Sequence, residues 1–141
     1  MNTRIVTIEK ERQDAFHVRK IVFVDEQNVP LEEEIDQFED DATHFVLYDE
    51  EKPVGAGRFR VIDDIGKVER ICVLSTHRSK GAGKIIMNKI EEFAKEKGIS
   101  TLKLHAQTHA ENFYKKLGYE TASPDVFLDA GIPHVTMEKG I

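Results

Sequence analysis

The sequence predicts a mixed α/β (α+β) fold, a mostly antiparallel sheet with helices on both faces, and three observations carry that prediction. Residues 44 to 74 form three strand-like runs divided by turn residues, which is a meander. The apolar period then becomes helical from Gly83 to Lys97. A strand-like run, 101 to 106, follows that helix, as a parallel crossover requires.

In chain order, Arg4 to Ile8 alternate well enough for a first strand. From Glu11 to Gln27, Ala15, Val18 and Val22 share one helical stripe, and Pro30 lies beyond the helix because proline cannot continue it. The runs HFVLYD (44–49), VGAGRFRVI (54–62) and KVERICVL (67–74) are the three meander strands. Their turns are Glu50-Glu51-Lys52-Pro53 and Asp63-Asp64-Ile65-Gly66. Ile86, Met87, Ile90, Phe93 and Ala94 make one face of the long helix, which Gly98 stops. Thr101 to Ala106 is the next strand. Thr108 and Glu111 have capping-box spacing for a helix closed by Gly118. A strand from about Tyr119, a turn or short helix over Pro124 to Asp129, and a strand from His134 to Glu138 complete the order β-α-β-β-β-α-β-α-β-β.

The 141 residues fit a single domain, 1–141, and 40% hydrophobic content suffices for a core. The lone cysteine, Cys72, excludes a disulfide framework. No apolar run is long enough to span a membrane, and the start MNTRIVTIEKERQD lacks a signal-type apolar block, so a cytoplasmic location is expected. The net charge of -6 argues against a nucleic-acid binder acting by global charge. That charge is concentrated. Removing the seven acidic residues between Glu32 and Asp41 would turn the formal charge from -6 to +1. The stretch reads as a solvated loop, as a negative rim that draws in a cationic substrate, or, through Ile35 and Phe38, as an amphipathic turn docked on the body.

The segment Ile71-Cys-Val-Leu-Ser-Thr-His-Arg-Ser-Lys-Gly-Ala-Gly83 carries the most chemistry. A strand enters a short loop with two glycines and a long helix starts at once. Main-chain N–H groups at such a start have no helical partner and suit a phosphate, and Arg78, Lys80 and Lys84 add positive charge. It is neither a Walker loop, because Gly83-Lys84 is followed by Ile85, nor a dinucleotide fingerprint, because Ile86 stands where the third glycine belongs.

Val73-x-x-x-x-Arg78-x-x-Gly81-x-Gly83 resembles the acyl-coenzyme A pyrophosphate loop of the GNAT N-acetyltransferases. Phe113-Tyr114-Lys-Lys-Leu-Gly118-Tyr119 is similar to that superfamily's second hallmark. Arg19 to Pro30, Ala106-Gln107 and the Gly-Ile-Pro-His run from Gly131 to His134 resemble a small bacterial subgroup of largely uncharacterised members. The superfamily usually has Asn where Gln107 stands.

The resemblance implies a central sheet that splays at the third meander strand, and acetyl-coenzyme A as cosubstrate. Its pantetheine arm would pair with the main chain of Ile71, Cys72 and Val73, and its pyrophosphate would sit on Arg78, Ser79, Lys80, Gly81, Ala82, Gly83 and Lys84. Gln107 and Phe113 would flank the arm, Tyr114 would protonate the leaving thiolate, and Arg19, Glu26 and Gln27 would line the acceptor pocket. Glu69 is the expected base. Regular alternation would put it on the sheet face of Ile71 and Val73, with Cys72 turned away. Its other reading is an ion-pair partner for Arg58, Arg60 or Arg70, and Tyr114 could instead pack beside Phe113.

Direct transfer needs no covalent enzyme intermediate, so Cys72 reads as core rather than nucleophile. His105 and His109 have zinc-helix spacing but end a strand, so no metal is expected. The partner is a small-molecule amine. Small members of this fold often pair, which leaves a homodimer open. An acyl-coenzyme A sensor without turnover and an acyl-homoserine lactone synthase are the competing readings.

Overall fold

The computed structural model describes the backbone of residues 1–141 and every side chain except that of Pro124. Its sheet has seven strands: β1 (Asn2–Ile5), β2 (Thr43–Asp49), β3 (Lys52–Ile62), β4 (Ile65–Val73), β5 (Thr101–Gln107), β6 (Glu120–Asp129) and β7 (Ile132–Gly140). Their spatial order is β1-β2-β3-β4-β5-β7-β6, with β4–β5 parallel and every other pair antiparallel. The expected open, mostly antiparallel α/β sheet is the one observed.

α1 (Glu9–Arg19) runs on into a π-helical stretch, Lys20–Glu26, and packs on β2, β3 and β4. Ala15, Val18 and Val22 seal one core there against Val46, Tyr48, Ala56 and Cys72. Each buried valine contributes about 1.5–3 kcal/mol relative to exposure. α3 (Ala82–Glu96) covers the opposite face, setting Ile86, Ile90 and Ala94 on Phe45, Leu47, Phe59, Leu102 and Leu104. These helices match the predicted periodic segments because one apolar stripe buried on one sheet face produces that period.

Three boundaries differ from expectation. β1 ends at Ile5 because the chain already turns at Thr7, whose N–H donates to the Glu11 carboxylate at 2.9 Å as α1 begins. Thr108 and Glu111 form no capping box. A 3₁₀ turn, Thr108–Ala110, precedes α4 (Glu111–Lys116), and Glu111 accepts the Thr121 hydroxyl instead. The turn or short helix expected over 124–129 is strand: β6 stays on β7, and its register slips twice, between Thr121 and Ser123 and between Ser123 and Phe127.

The acidic stretch is docked rather than solvated. α2 (Leu31–Glu34) and the residues after it lie on the α1 side of the sheet, where Glu34 and Glu39 are buried. The fully buried Arg19 binds both: Nε and Nη2 donate to Glu34, and Nη1 and Nη2 donate to Glu39, at 2.7–3.2 Å. Arg58, equally buried, spans Asp36 at 2.8 Å and Glu69 at 3.0 Å. Arg60 stands 3.8 Å above the Phe38 ring. The amphipathic turn suggested by Ile35 and Phe38 is the reading the structure bears out.

Burial alone would raise the Glu39 carboxyl, but hydrogen bonds and charge from Arg19 and Arg58 hold it at about 2. Glu34 goes the other way, because desolvation outweighs its arginines and raises it. Removing one partner of a buried pair strands the other charge, so Glu39→Gln is expected to cost about 3–5 kcal/mol in urea unfolding. The sign of the pH effect follows from the depressed carboxyl. Its stabilisation is present above pH 4.5, its unfolded value, and is lost as pH falls toward about 2, so the urea midpoint is expected to drop steeply across that interval and less so in the Gln variant.

Candidate active site

The site begins with an irregularity in β4. Opposite it, Ala56 pairs with Cys72 and Arg58 with Glu69, so β4 carries one more residue than β3 across that interval. This bulge centres on Arg70, whose φ of 58° is left-handed. A non-glycine residue there costs roughly 1–2 kcal/mol and must be held. The docked acidic stretch holds it: Arg70 reaches the Glu34 carboxylate at 3.0 Å, the Glu34 carbonyl at 3.2 Å and Asp36 at 3.2 Å.

Two consequences follow. A bulge bends and overtwists its strand. The β4–β5 ladder runs only from Gly66–Leu102 to Val68–Leu104, and beyond it the β5-facing edge of Glu69 to Val73 has no strand beside it. The bulge also resets side-chain direction. Glu69 pairs with Arg58 and Cys72 with Ala56, so both lie on the α1 side, whereas Ile71 packs against α3. The expected common face of Glu69, Ile71 and Val73 is corrected: the extra residue breaks the alternation, and Glu69 shares its face with Cys72.

Between the diverging strands opens a cleft of about 640 Å³. Its walls are β4 from Lys67 to Val73, the end of β5 with α4, the π-helical stretch with Glu26 and Gln27, and the acidic stretch. Ile71, Cys72, Val73, Arg78, Gln107, Tyr114, Glu69, Glu26 and Gln27 all line it. Arg19 does not. Its guanidinium is sealed beneath the acidic wall by Glu34 and Glu39, so it supports the pocket instead of lining it.

At the cleft mouth the loop from Arg78 to Gly81 is exposed. Ser79 and Gly81 both have positive φ, 63° and 79°, and such turns direct successive N–H groups to one side. Gly81 precedes the first turn of α3, which no side chain caps. A Cβ on Gly83 would lie 2.9 Å from Phe113, so glycine lets that ring close over the helix start. Lys80 and Lys84 are exposed around it, and Ala82 is buried. Arg78 folds back, donating to the Val73 carbonyl at 2.9 Å and to Glu26 at 2.6 Å. Gln27 and Gln107 exchange amide hydrogen bonds across the cleft, and Gln107 also meets His109 at 2.6 Å.

Tyr114 is half-buried, edge-on to Phe113 and Tyr119, and its hydroxyl has no partner among the described residues. Burial raises its pKa above the ordinary phenol value, so it stays protonated at neutral pH. Burial likewise pushes the Cys72 thiol up to about 12. Glu69 is the opposite case. Desolvation would raise it, but hydrogen bonds from Arg60 and the charges of Arg58 and Lys67 overcome this and hold it at about 2. Moving a proton from an ammonium of pKa about 10.4 onto such a carboxyl costs on the order of 11 kcal/mol. Glu69 is a fixed anion with little capacity to accept a proton.

His105, His134 and Asp129 line the cleft as well, together with Glu32 and Glu33 of the acidic stretch, one of whose sequence readings is a negative rim at a site. The register Gln107–His134 on β5–β7 puts His134 on the face of Gln107, and that pairing joins residues too distant in sequence for local period to reveal.

Residues 9–141 match the family described as acetyltransferase (GNAT) domain. The chain is 56% identical over 139 residues to the uncharacterised N-acetyltransferase YjcF of Bacillus subtilis (strain 168), covering 99% of each. Among solved structures, Escherichia coli ElaA superimposes with a TM-score of 0.88 at 23% identity, over 99% of both chains. An aminoglycoside 6'-N-acetyltransferase complexed with coenzyme A superimposes with a TM-score of 0.79 at 15% identity, over 99% of this chain and 97% of that one. The last two likenesses concern the fold.

The bulge can be tested by itself. Arg70→Gly removes the strain along with the anchor, whereas Arg70→Ala keeps the strain. The Gly variant is therefore expected to be the more stable by about 1 kcal/mol in urea unfolding. Equal stabilities would show that residue 70 does not need its left-handed conformation.

Proposed function

The chain belongs to the GNAT acetyltransferase family, and from that premise we propose that it moves the acetyl group of acetyl-coenzyme A directly to the primary amine of a small cationic molecule. The observation that carries this reading is the adjacency of a strand edge with no strand beside it and a helix start that no side chain caps. The open edge of β4 from Glu69 to Val73 leads to the uncapped start of α3 behind the Arg78–Gly81 loop. An extended amide-bearing arm ending in a pyrophosphate fits that pair: a strand edge for its amides, helix N–H groups for its phosphates.

Ile71, Cys72 and Val73 then supply the edge, and the segment from Arg78 to Lys84 takes the pyrophosphate. Arg78 exchanges its hold on Glu26 for phosphate oxygen. Gln107, Gln27 and Glu26 border the reacting centre. The unpartnered Tyr114 hydroxyl protonates the departing sulfur. Support for a cationic acceptor comes from the acidic wall. Glu32, Glu33 and Asp129 line the cleft and pair with no cation among the described residues, so they offer negative charge to an incoming ammonium.

The test follows thiol release from acetyl-coenzyme A with polyamines, amino sugars, amino acids and basic peptides as acceptors. Small cationic amines are expected to be acetylated. Tyr114→Phe is expected to lower kcat by about 10²–10⁴-fold while coenzyme A affinity stays within about twofold. Tight coenzyme A binding with no amine acetylated would sink the transfer reading.

A further inference from the structure

Resting on that transfer reading, we propose that His134 is the group that removes the proton from the acceptor amine. The acceptor arrives as an ammonium, and the carboxylate nearest the open edge, Glu69, is too tightly held by Arg58, Arg60 and Lys67 to accept its proton. Another cleft group must do so.

His134 meets the geometric requirements. It sits in β7, between Gln107 of β5 and Phe127 of β6, and its ring lines the cleft. Nδ1 lies 2.6 Å from the Ile132 carbonyl, which can only accept, so Nδ1 carries the hydrogen. In the neutral ring that leaves the lone pair on Nε2. The residue is 7% exposed, and its ring stacks on Phe127 with centroids 5.9 Å apart and planes at 23°, while Phe127 is set edge-on to His105 at 5.0 Å. Packing and a hydrogen bond thus fix both the plane and the tautomer. Nε2 has no partner among the described residues, and it is not one of the sealed, unsatisfied side-chain atoms, which are Thr3 Oγ1 and His44 Nδ1. Nε2 is an oriented, reachable base.

The proton balance is complete. Nε2 takes one proton from the acceptor ammonium, and the freed lone pair forms the N–C bond to the thioester carbonyl. The C–S bond breaks with its electrons going to sulfur, which takes the Tyr114 proton. The second proton leaving the new amide nitrogen restores Tyr114, and His134 gives its proton to water. An ammonium and a thioester become an amide, a thiol and one released proton.

His134→Asn is the informative variant, because its amide N–H can still reach the Ile132 carbonyl while Nε2 is gone. With acetyl-coenzyme A and spermidine, kcat is expected to fall about 10²–10⁴-fold. Coenzyme A affinity is expected to stay within about twofold, and added imidazole is expected to restore part of the rate to His134→Ala. Retention of more than about a third of wild-type kcat by the Asn variant overturns the proposal. Ring ¹⁵N spectra of the full-length protein at pH 8 test it without any acceptor: His134 is expected as the Nδ1–H tautomer, and a proton on Nε2 overturns it. Wild-type protein that binds coenzyme A but acetylates neither spermidine nor any other amine instead refutes the transfer reading.

Discussion

Arg19 and Arg58, both buried, hold Glu34, Asp36, Glu39 and Glu69 in one hydrogen-bonded cluster, and the shape of the cleft depends on it. Taking so many charges out of water is costly, and an apolar core of equal volume would often be no less stable. What the cluster supplies is position. It anchors a stretch whose seven acidic residues would otherwise repel one another in solution. Through Glu34 and Asp36 it reaches Arg70 and holds the bulge. The bulge turns β4 away from β5, and that divergence is the cleft. A surface feature of the sequence is in this way a structural cause of the site.

The same cluster keeps Glu69 from exchanging protons. Three cations hold Glu69 as an anion, which leaves it unsuited to taking a proton. Tyr114 is shifted in the opposite sense, kept as a donor by burial without a neighbouring cation. His134 belongs to a third element, β7, and its partner is a carbonyl that selects a tautomer. On the proposed mechanism, fixed charge, proton donor and proton acceptor come from three elements with three electrostatic surroundings. Such separation keeps neighbouring groups from neutralising one another before a substrate arrives.

Much of this was legible in the sequence wherever burial is periodic. α3 shows its stripe because Ile86, Ile90 and Ala94 face one core, and the meander shows its turns because Glu50 and Asp63 take the left-handed conformations such turns need. The loop at Gly81 and Gly83 was legible for the same local reason. What could not be read depends on distance. Nothing near Glu34 or Glu39 in the chain announces Arg19 or Arg58. Period-two reasoning also assumes a regular strand, so one extra residue at Arg70 reversed the expected face of Glu69 relative to its neighbours. Arg19 was expected in the pocket through the resemblance of its helix and following loop to the family, yet it is buried against Glu34 and Glu39.

The two halves of the cleft differ in what a change of side chain can reach. The half beside β4 and the start of α3 offers main-chain N–H and C=O groups, which substitution leaves in place unless it alters φ at Arg70, Ser79 or Gly81. On the proposed reading, selectivity for the donor is tied to backbone shape, and backbone shape to the buried ion cluster. The half beside β5, β7 and the acidic stretch offers side chains alone: Glu32, Glu33, His105, Asp129 and His134. Exchanging Glu32, Glu33 or Asp129 would change charge and size at the mouth without disturbing the ladder that holds β5 to β7. If the cleft is divided between donor and acceptor as proposed, recognition of the acceptor can drift while the donor half stays fixed, the arrangement expected of a scaffold that keeps one cosubstrate and varies the other.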